Sequence, residues 1–346
     1  MNANILGWIR RERVYIWMLF FIVAVNMINL SQPLNKKPYN ENKGVSVKTF
    51  KDMGITEERI RAFLESDNPK AVFFKRSLIT GFFIFLLGLI LNLGFLIGKR
   101  RLISKLPQNK KAAPWDVSDV VRAVIIIIFV GYILGILLGL FLNIHHIKMD
   151  TNLHMMFSTF VLDIIAGFIV FYFVLIKYKE NLSSIGVTFA SFYKNILSGI
   201  TAYISVIPIL LLSLVLSILL LEMFGYKPPT QPVVEIFLQE KRSNVILFLA
   251  VFASVLGPVI EEIFFRGFLY NALKKSFGML LAVVLSAALF SALHTNMAGF
   301  VPIMILGILM ACLYEATGSL ITSMAVHIIH NSITVSFVLF LKGLLK

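Results

Sequence analysis

Nine stretches of this chain stay apolar over the length a lipid bilayer demands, and that limits what it can fold into. They cover residues 14–30, 77–98, 123–143, 155–176, 196–221, 245–273, 278–295, 300–315 and 319–341. About 20 apolar residues span a bilayer core as a helix. Inside hydrocarbon a backbone has no water to bond, so such segments must be helical. The expectation is an all-α, polytopic transmembrane bundle of eight or nine helices, the eighth stretch being short. Charged residues make up only 14% of the chain, against about 25% in soluble domains, so a soluble core is excluded.

The net charge of +14 does not point to nucleic acid. Arg10, Arg11 and Arg13 precede the first stretch, Lys99, Arg100, Arg101, Lys105, Lys110, Lys111 and Arg122 lie between the second and third, and Lys274 and Lys275 fall on the same side by alternation. Such loops are cytoplasmic by the positive-inside rule. The amino terminus is therefore expected in the cytoplasm, and loop 31–76 outside it. The first stretch exceeds a normal signal-peptide core, and Asn29-Leu30-Ser31-Gln32-Pro33 offers no small-x-small cleavage site, so an uncleaved anchor is expected. Cys312 is the single cysteine; it lies in an apolar run and reads as packing.

Local signals are few. Thr56 can cap a short helix begun by Glu57 and Glu58, with Pro69 as its stop. Trp115-Asp116-Val117-Ser118-Asp119 reads as the interfacial lead-in to the third span. Pro208 and Pro258 are expected to kink the spans that hold them. His145, His146 and His154 flank a short outer loop and read as solvated. Asp163, inside the fourth span, reads as a helix-pairing residue.

The apolar background makes the exceptions conspicuous. Glu261 and Glu262 stand side by side, followed by Arg266. A charge at membrane depth costs roughly 2.5–3.5 kcal/mol on insertion scales and marks function by default. His294, His327 and Asn331 follow in the same landscape. A hairpin turning at Ser276-Phe277-Gly278 places the Glu pair and His294 at equal depth, roughly 20–25 Å from the turn. A last span starting after Thr317-Gly318-Ser319 brings His327 and Asn331 to roughly 13–20 Å from the same side. Glu262 and Arg266 are i,i+4 and share a face, as do His327 and Asn331. Glu261 points about 100° away from Glu262. His330 falls on a different face and reads as structural.

Glu261-Glu262-x-x-x-Arg266, Phe290-x-x-x-His294 and His327-x-x-x-Asn331 resemble the motifs of the CAAX prenyl-protease and bacteriocin-processing family of intramembrane proteases, also called the Abi family. Gly257-Pro258, Phe264 to Tyr270, Gly307 and Tyr314 to Leu320 agree with that pattern. The likeness covers about residues 245–335. It implies a protease core over 196–346 and a variable membrane region over 1–195. It also implies peptide-bond hydrolysis in or beside the membrane, with Glu261 as catalytic glutamate and His294 helping it activate water. His327 and Asn331 resemble the oxyanion stabilisers, and Glu262 with Arg266 the supporting pair.

The cofactor expectation is none, with zinc held open. Glu261, His294 and His327 could hold one ion, yet His-Glu-x-x-His is absent. The expected partners are a bilayer, in a bacterial cytoplasmic membrane, and a membrane-associated protein or peptide substrate. Prenylated tails, double-glycine leaders and carboxy-terminal sorting helices are all handled by relatives. The rival readings are a catalytically silent member that regulates a sensor kinase or immunity factor, and an ion-coupled transporter. For the transporter, no inverted repeat is visible.

Overall fold

The computed structural model describes residues 3–31, 56–97, 112–147, 149, 151–226 and 232–344. No strand occurs among them. The helices, in chain order, are α1 (Ala3–Ser31), α2 (Glu57–Glu65), α3 (Pro69–Ile97), α4 (Val117–Ile144), α5 (Thr151–Phe171), α6 (Phe192–Met223), α7 (Pro232–Gln239), α8 (Ser243–Val251), α9 (Gly257–Glu262), α10 (Asn271–Leu293), α11 (Phe300–Thr317) and α12 (Leu320–Leu344). Three widened π-helical turns interrupt them: Tyr172–Lys177 after α5, Phe252–Leu256 between α8 and α9, and Ile263–Tyr270 between α9 and α10.

Seven helical segments among the described residues are long and apolar enough to cross a membrane. One of them, Ser243–Leu293, runs for 51 residues. It folds back at Gly278, whose φ of 79° and ψ of 171° break the helix. That backbone region is essentially glycine's own. The hairpin expected at Ser276-Phe277-Gly278 is thus present, and this segment supplies two of the nine stretches. The 14–30 stretch lies inside α1.

Two helices start earlier than the apolar pattern indicates. The second span begins at Pro69, where the Asn68 side chain accepts the Lys70 N–H at 2.9 Å. A proline costs nothing at the first helical position. So Pro69 opens α3, while Ser66 already closes α2. The third span begins at Val117 under a capping box made by Asp116 and Asp119. Polar caps extend both helices beyond their apolar stretches. The expected cap of α2 is seen: the Thr56 side chain accepts the Arg59 N–H at 3.3 Å.

The helices fall into two packing units. In the first, α1, α4 and α5 gather around a charged cluster. Arg122 grips both oxygens of Glu12 at 2.9 and 2.6 Å and donates to Asp119 at 2.9 Å. Lys177 donates to the same Asp119 oxygen at 2.5 Å. Tyr178 and the Asp116 N–H donate to the other. The Arg122 hydrogen bond holds the Glu12 carboxyl below the usual carboxylate range.

The second unit holds α2, α3 and α6–α12, and small residues set its closest crossings. A Cβ on Gly199 of α6 would stand 2.8 Å from the Thr322 carbonyl of α12. One on Gly307 of α11 would stand 3.0 Å from Ala287 Cβ of α10. Helices in lipid lack a hydrophobic drive toward each other, and small residues let their backbones meet. Pro208 lies inside α6. It cannot bond the Ile204 carbonyl behind it. The adjoining Ser205 carbonyl accepts from Asn92 of α3 at 2.8 Å.

Candidate active site

The site is built on the distorted part of the long hairpin. Pro258 has no N–H to give the preceding turn. The chain answers with the π turn Phe252–Leu256 just ahead of it. A π turn opens the backbone ladder and leaves carbonyls to find other donors. Asn331 of α12 supplies one, its Nδ2 donating to the Ala253 carbonyl at 2.9 Å. This contact ties α12 to the segment that carries the Glu pair, which begins eight residues on.

Glu262 and Arg266 are fully buried, at 0% and 1% exposure. Arg266 Nη1 donates to Glu262 Oε1 at 2.6 Å. The expected i,i+4 pair is present. Arg266 Nη2 also donates to the Gly307 carbonyl of α11 at 3.3 Å. Its guanidinium carbon lies 4.5 Å from the centre of the Phe290 ring, a cation–π contact.

His327 lies between the two glutamates. Its Nδ1 is 3.0 Å from Glu262 Oε1, and its Nε2 is 3.7 Å from Glu261 Oε2. A carboxylate only accepts, so the Nδ1 hydrogen points at Glu262. Glu261 differs from its neighbour: its side chain is 29% exposed, yet Oε2 is buried without a hydrogen-bond partner. Glu262 Oε2 and Arg266 Nε are also unpartnered. Three such atoms within six residues are abnormal for a folded interior.

His294 caps the carboxy-terminal end of α10 and is exposed. Its Nδ1 donates to the Phe290 carbonyl at 2.8 Å. That bond fixes the tautomer and leaves the Nε2 lone pair available. Phe290 links this imidazole to the others. Its ring is 4.7 Å from the His294 ring, 5.4 Å from the His327 ring and 5.1 Å from Phe265.

The residues expected from sequence are therefore brought together in two ways. Glu261, Glu262, Arg266 and His327 meet directly, while His294 joins through Phe290 and Asn331 through Ala253. The arrangement of His327 and Asn331 differs from two donors aimed side by side, because His327 turns to the glutamates. Sequence reasoning gave Phe290 no role, although its place four residues before His294 was the available signal. The Ala253 and Gly307 carbonyls had none.

Residues 243–333 match the type II CAAX prenyl endopeptidase Rce1-like family. Over that segment, about a quarter of its length, the chain is similar to the CAAX-protease family. The membrane-embedded CAAX protease MroQ of Staphylococcus aureus (strain USA300) is 25% identical over 145 residues. That alignment covers 40% of this chain and 57% of the relative, so the chain spans just over half of its length. No solved structure matches. The matched segment runs from the start of α8 to the middle of α12 and contains every site residue above.

Glu261, His294 and His327, the side chains considered for zinc, are not gathered into one ligand group among the described residues. No three His, Cys, Asp or Glu side chains meet in metal-binding geometry among the described residues. His327 has Glu262 on one nitrogen and Glu261 near the other, and His294 has one nitrogen on Phe290.

Proposed function

We propose that the chain is an intramembrane endopeptidase that hydrolyses a peptide bond of a membrane-associated protein or peptide. The observation that carries this reading is Glu261: a carboxylate at membrane depth, partly accessible, with one buried oxygen that nothing satisfies. A buried polar atom without a partner is expensive. Water or a substrate group is what such an atom takes.

In this reading Glu261 accepts a proton from water, with the His294 Nε2 lone pair as the second acceptor on that water. The hydroxide attacks the peptide carbonyl carbon, and the C=O electron pair moves onto oxygen. The remaining Asn331 N–H and His327 Nε2 stabilise that oxyanion. Because Glu262 holds the Nδ1 hydrogen, a donating Nε2 needs a hydrogen of its own, and the Glu261 and Glu262 carboxylates flank the ring. The C–N bond then breaks, and Glu261 passes its proton to the leaving amine. No metal enters the scheme. Glu262 and Arg266 orient His327 and take no part in the proton traffic. The membrane is read as a bacterial cytoplasmic membrane with the amino terminus inside.

The test is cleavage of a bilayer-tethered peptide by the full chain in lipid. Glu261→Gln keeps the shape and removes the base, so turnover should fall about 10²–10⁴-fold with melting unchanged. Activity should survive chelators. Full activity in Glu261→Gln overturns the mechanism. One equivalent of zinc, with activity lost on its removal and regained on its return, overturns the metal-free scheme.

A further inference from the structure

Helix α12 carries a third imidazole that this scheme leaves unused. At 100° per residue, His330 lies 60° to one side of His327 and Asn331 lies 40° to the other. The three therefore occupy one stripe, closer than the separate face expected from sequence.

Across the stripe stands Tyr203 of α6. Its hydroxyl is 3.1 Å from His330 Nδ1, and the rings meet edge to face at 5.9 Å. Gly199, one turn earlier on α6, makes this contact possible by letting the two backbones approach. Tyr203 is 6% exposed, and its hydroxyl has no other acceptor among the described residues. A buried tyrosine hydroxyl finds a partner. It therefore donates to Nδ1, which leaves the proton of the neutral ring on Nε2. That nitrogen has no partner among the described residues, and the ring is half-buried.

We propose that Tyr203 and His330 form a substrate subsite in which His330 Nε2–H donates to a backbone carbonyl of the peptide beside the scissile bond. A peptide must be extended to be cut. At membrane depth its carbonyls have no water, and each one left unsatisfied costs several kcal/mol. The catalytic groups serve only the scissile carbonyl, so a neighbouring one needs its own donor. A neutral donor suits this place because it adds no charge next to His327. Tyr203 acts through His330 as a positioning residue. The subsite rests on the endopeptidase reading.

The experiment measures binding and turnover separately, with the same tethered peptide and the full chain in lipid. Binding is read by fluorescence anisotropy in the Glu261→Gln background, and KM and kcat in the active protein. His330→Leu should weaken binding and raise KM about tenfold, the scale of one unpaired buried carbonyl, with kcat within about twofold. His330→Gln, which keeps an N–H donor, should recover most of the loss, and Tyr203→Phe should fall between. Unchanged binding in His330→Leu overturns the subsite, as does a fall in kcat at constant KM. Equal loss in the Leu and Gln variants also overturns it, since that marks packing. Wild-type cleavage by Glu261→Gln would instead overturn the endopeptidase reading beneath it.

Discussion

Both packing units bury a carboxylate among cations, and they treat it in opposite ways. Asp119 in the first unit is saturated. Arg122, Lys177, Tyr178 and the Asp116 N–H divide its two oxygens among them. Glu261 and Glu262 in the second unit are left short, with an orphaned oxygen on each and an orphaned nitrogen on Arg266. Both clusters draw on a π turn: Lys177 ends one, and Glu262 is followed at once by the one that holds Arg266. A saturated cluster fastens helices. An unsaturated one keeps bonding capacity for something that arrives later.

Variants can break this contrast. The largest stability effect is expected from Glu262→Gln. Arg266 cannot lose its proton and would remain as a fully buried, uncompensated charge, which costs roughly 3–5 kcal/mol. Thermal melting in detergent should show it, and a melting temperature equal to wild type would show that Arg266 finds another anion. Next come His327→Ala and Asn331→Ala. Each should lower kcat about 10²–10³-fold, or roughly 2.7–4 kcal/mol, the range for one oxyanion donor. A change confined to KM would reassign that residue to substrate binding.

Asp119→Asn sharpens the comparison from the other side. It weakens charge-assisted bonds worth roughly 1.5–3 kcal/mol, so melting should fall by that order while kcat per folded molecule stays constant. Lost turnover at unchanged melting would make the first unit a working part of the chemistry. The smallest effect concerns Glu240, outside the spans. Hydrogen bonds from Arg242 and two backbone N–H groups hold its carboxyl down to about 2 from 4.5. A depressed value stabilises the fold above pH 4.5, and that contribution fades as pH falls toward 2. Glu240→Gln should remove this part of the acid dependence, seen as a shallower melting profile between those values.

Much of the second unit was legible because hydrocarbon punishes exceptions. Glu261, Glu262, Arg266, His294, His327 and Asn331 stood out as polar residues in apolar runs. Counting along a hairpin was enough to expect them at one depth. The turn at Gly278 and the cap at Thr56 were readable from residue type. The Asp119 cluster was not, because its partners come from three separate places in the chain and look like ordinary interfacial charges. Nor was the position of His327 between two carboxylates, since helical periodicity gives a face but not a neighbour. His330 was set aside on a facing argument that a 60° offset does not support. Tyr203 gave no signal, because one tyrosine in an apolar span is unremarkable until another helix crosses it.

The π turn Ile263–Tyr270 has a consequence for how this chain tolerates change. A widened turn amounts to one additional residue, and in a regular helix one residue turns everything beyond it by about 100°. Before the turn, Glu262 looks toward α12; at its end Tyr270 donates to Glu315, and just beyond it Asn271 donates to Tyr314, both on α11. The segment behaves as a phase shifter between two helical neighbours. Deleting a single residue within it could restore regular pitch without losing hydrophobic length, so insertion into the membrane would be spared. The two partnerships could no longer be satisfied together. Length and orientation are separately encoded here, and a one-residue deletion is the change that would pull them apart.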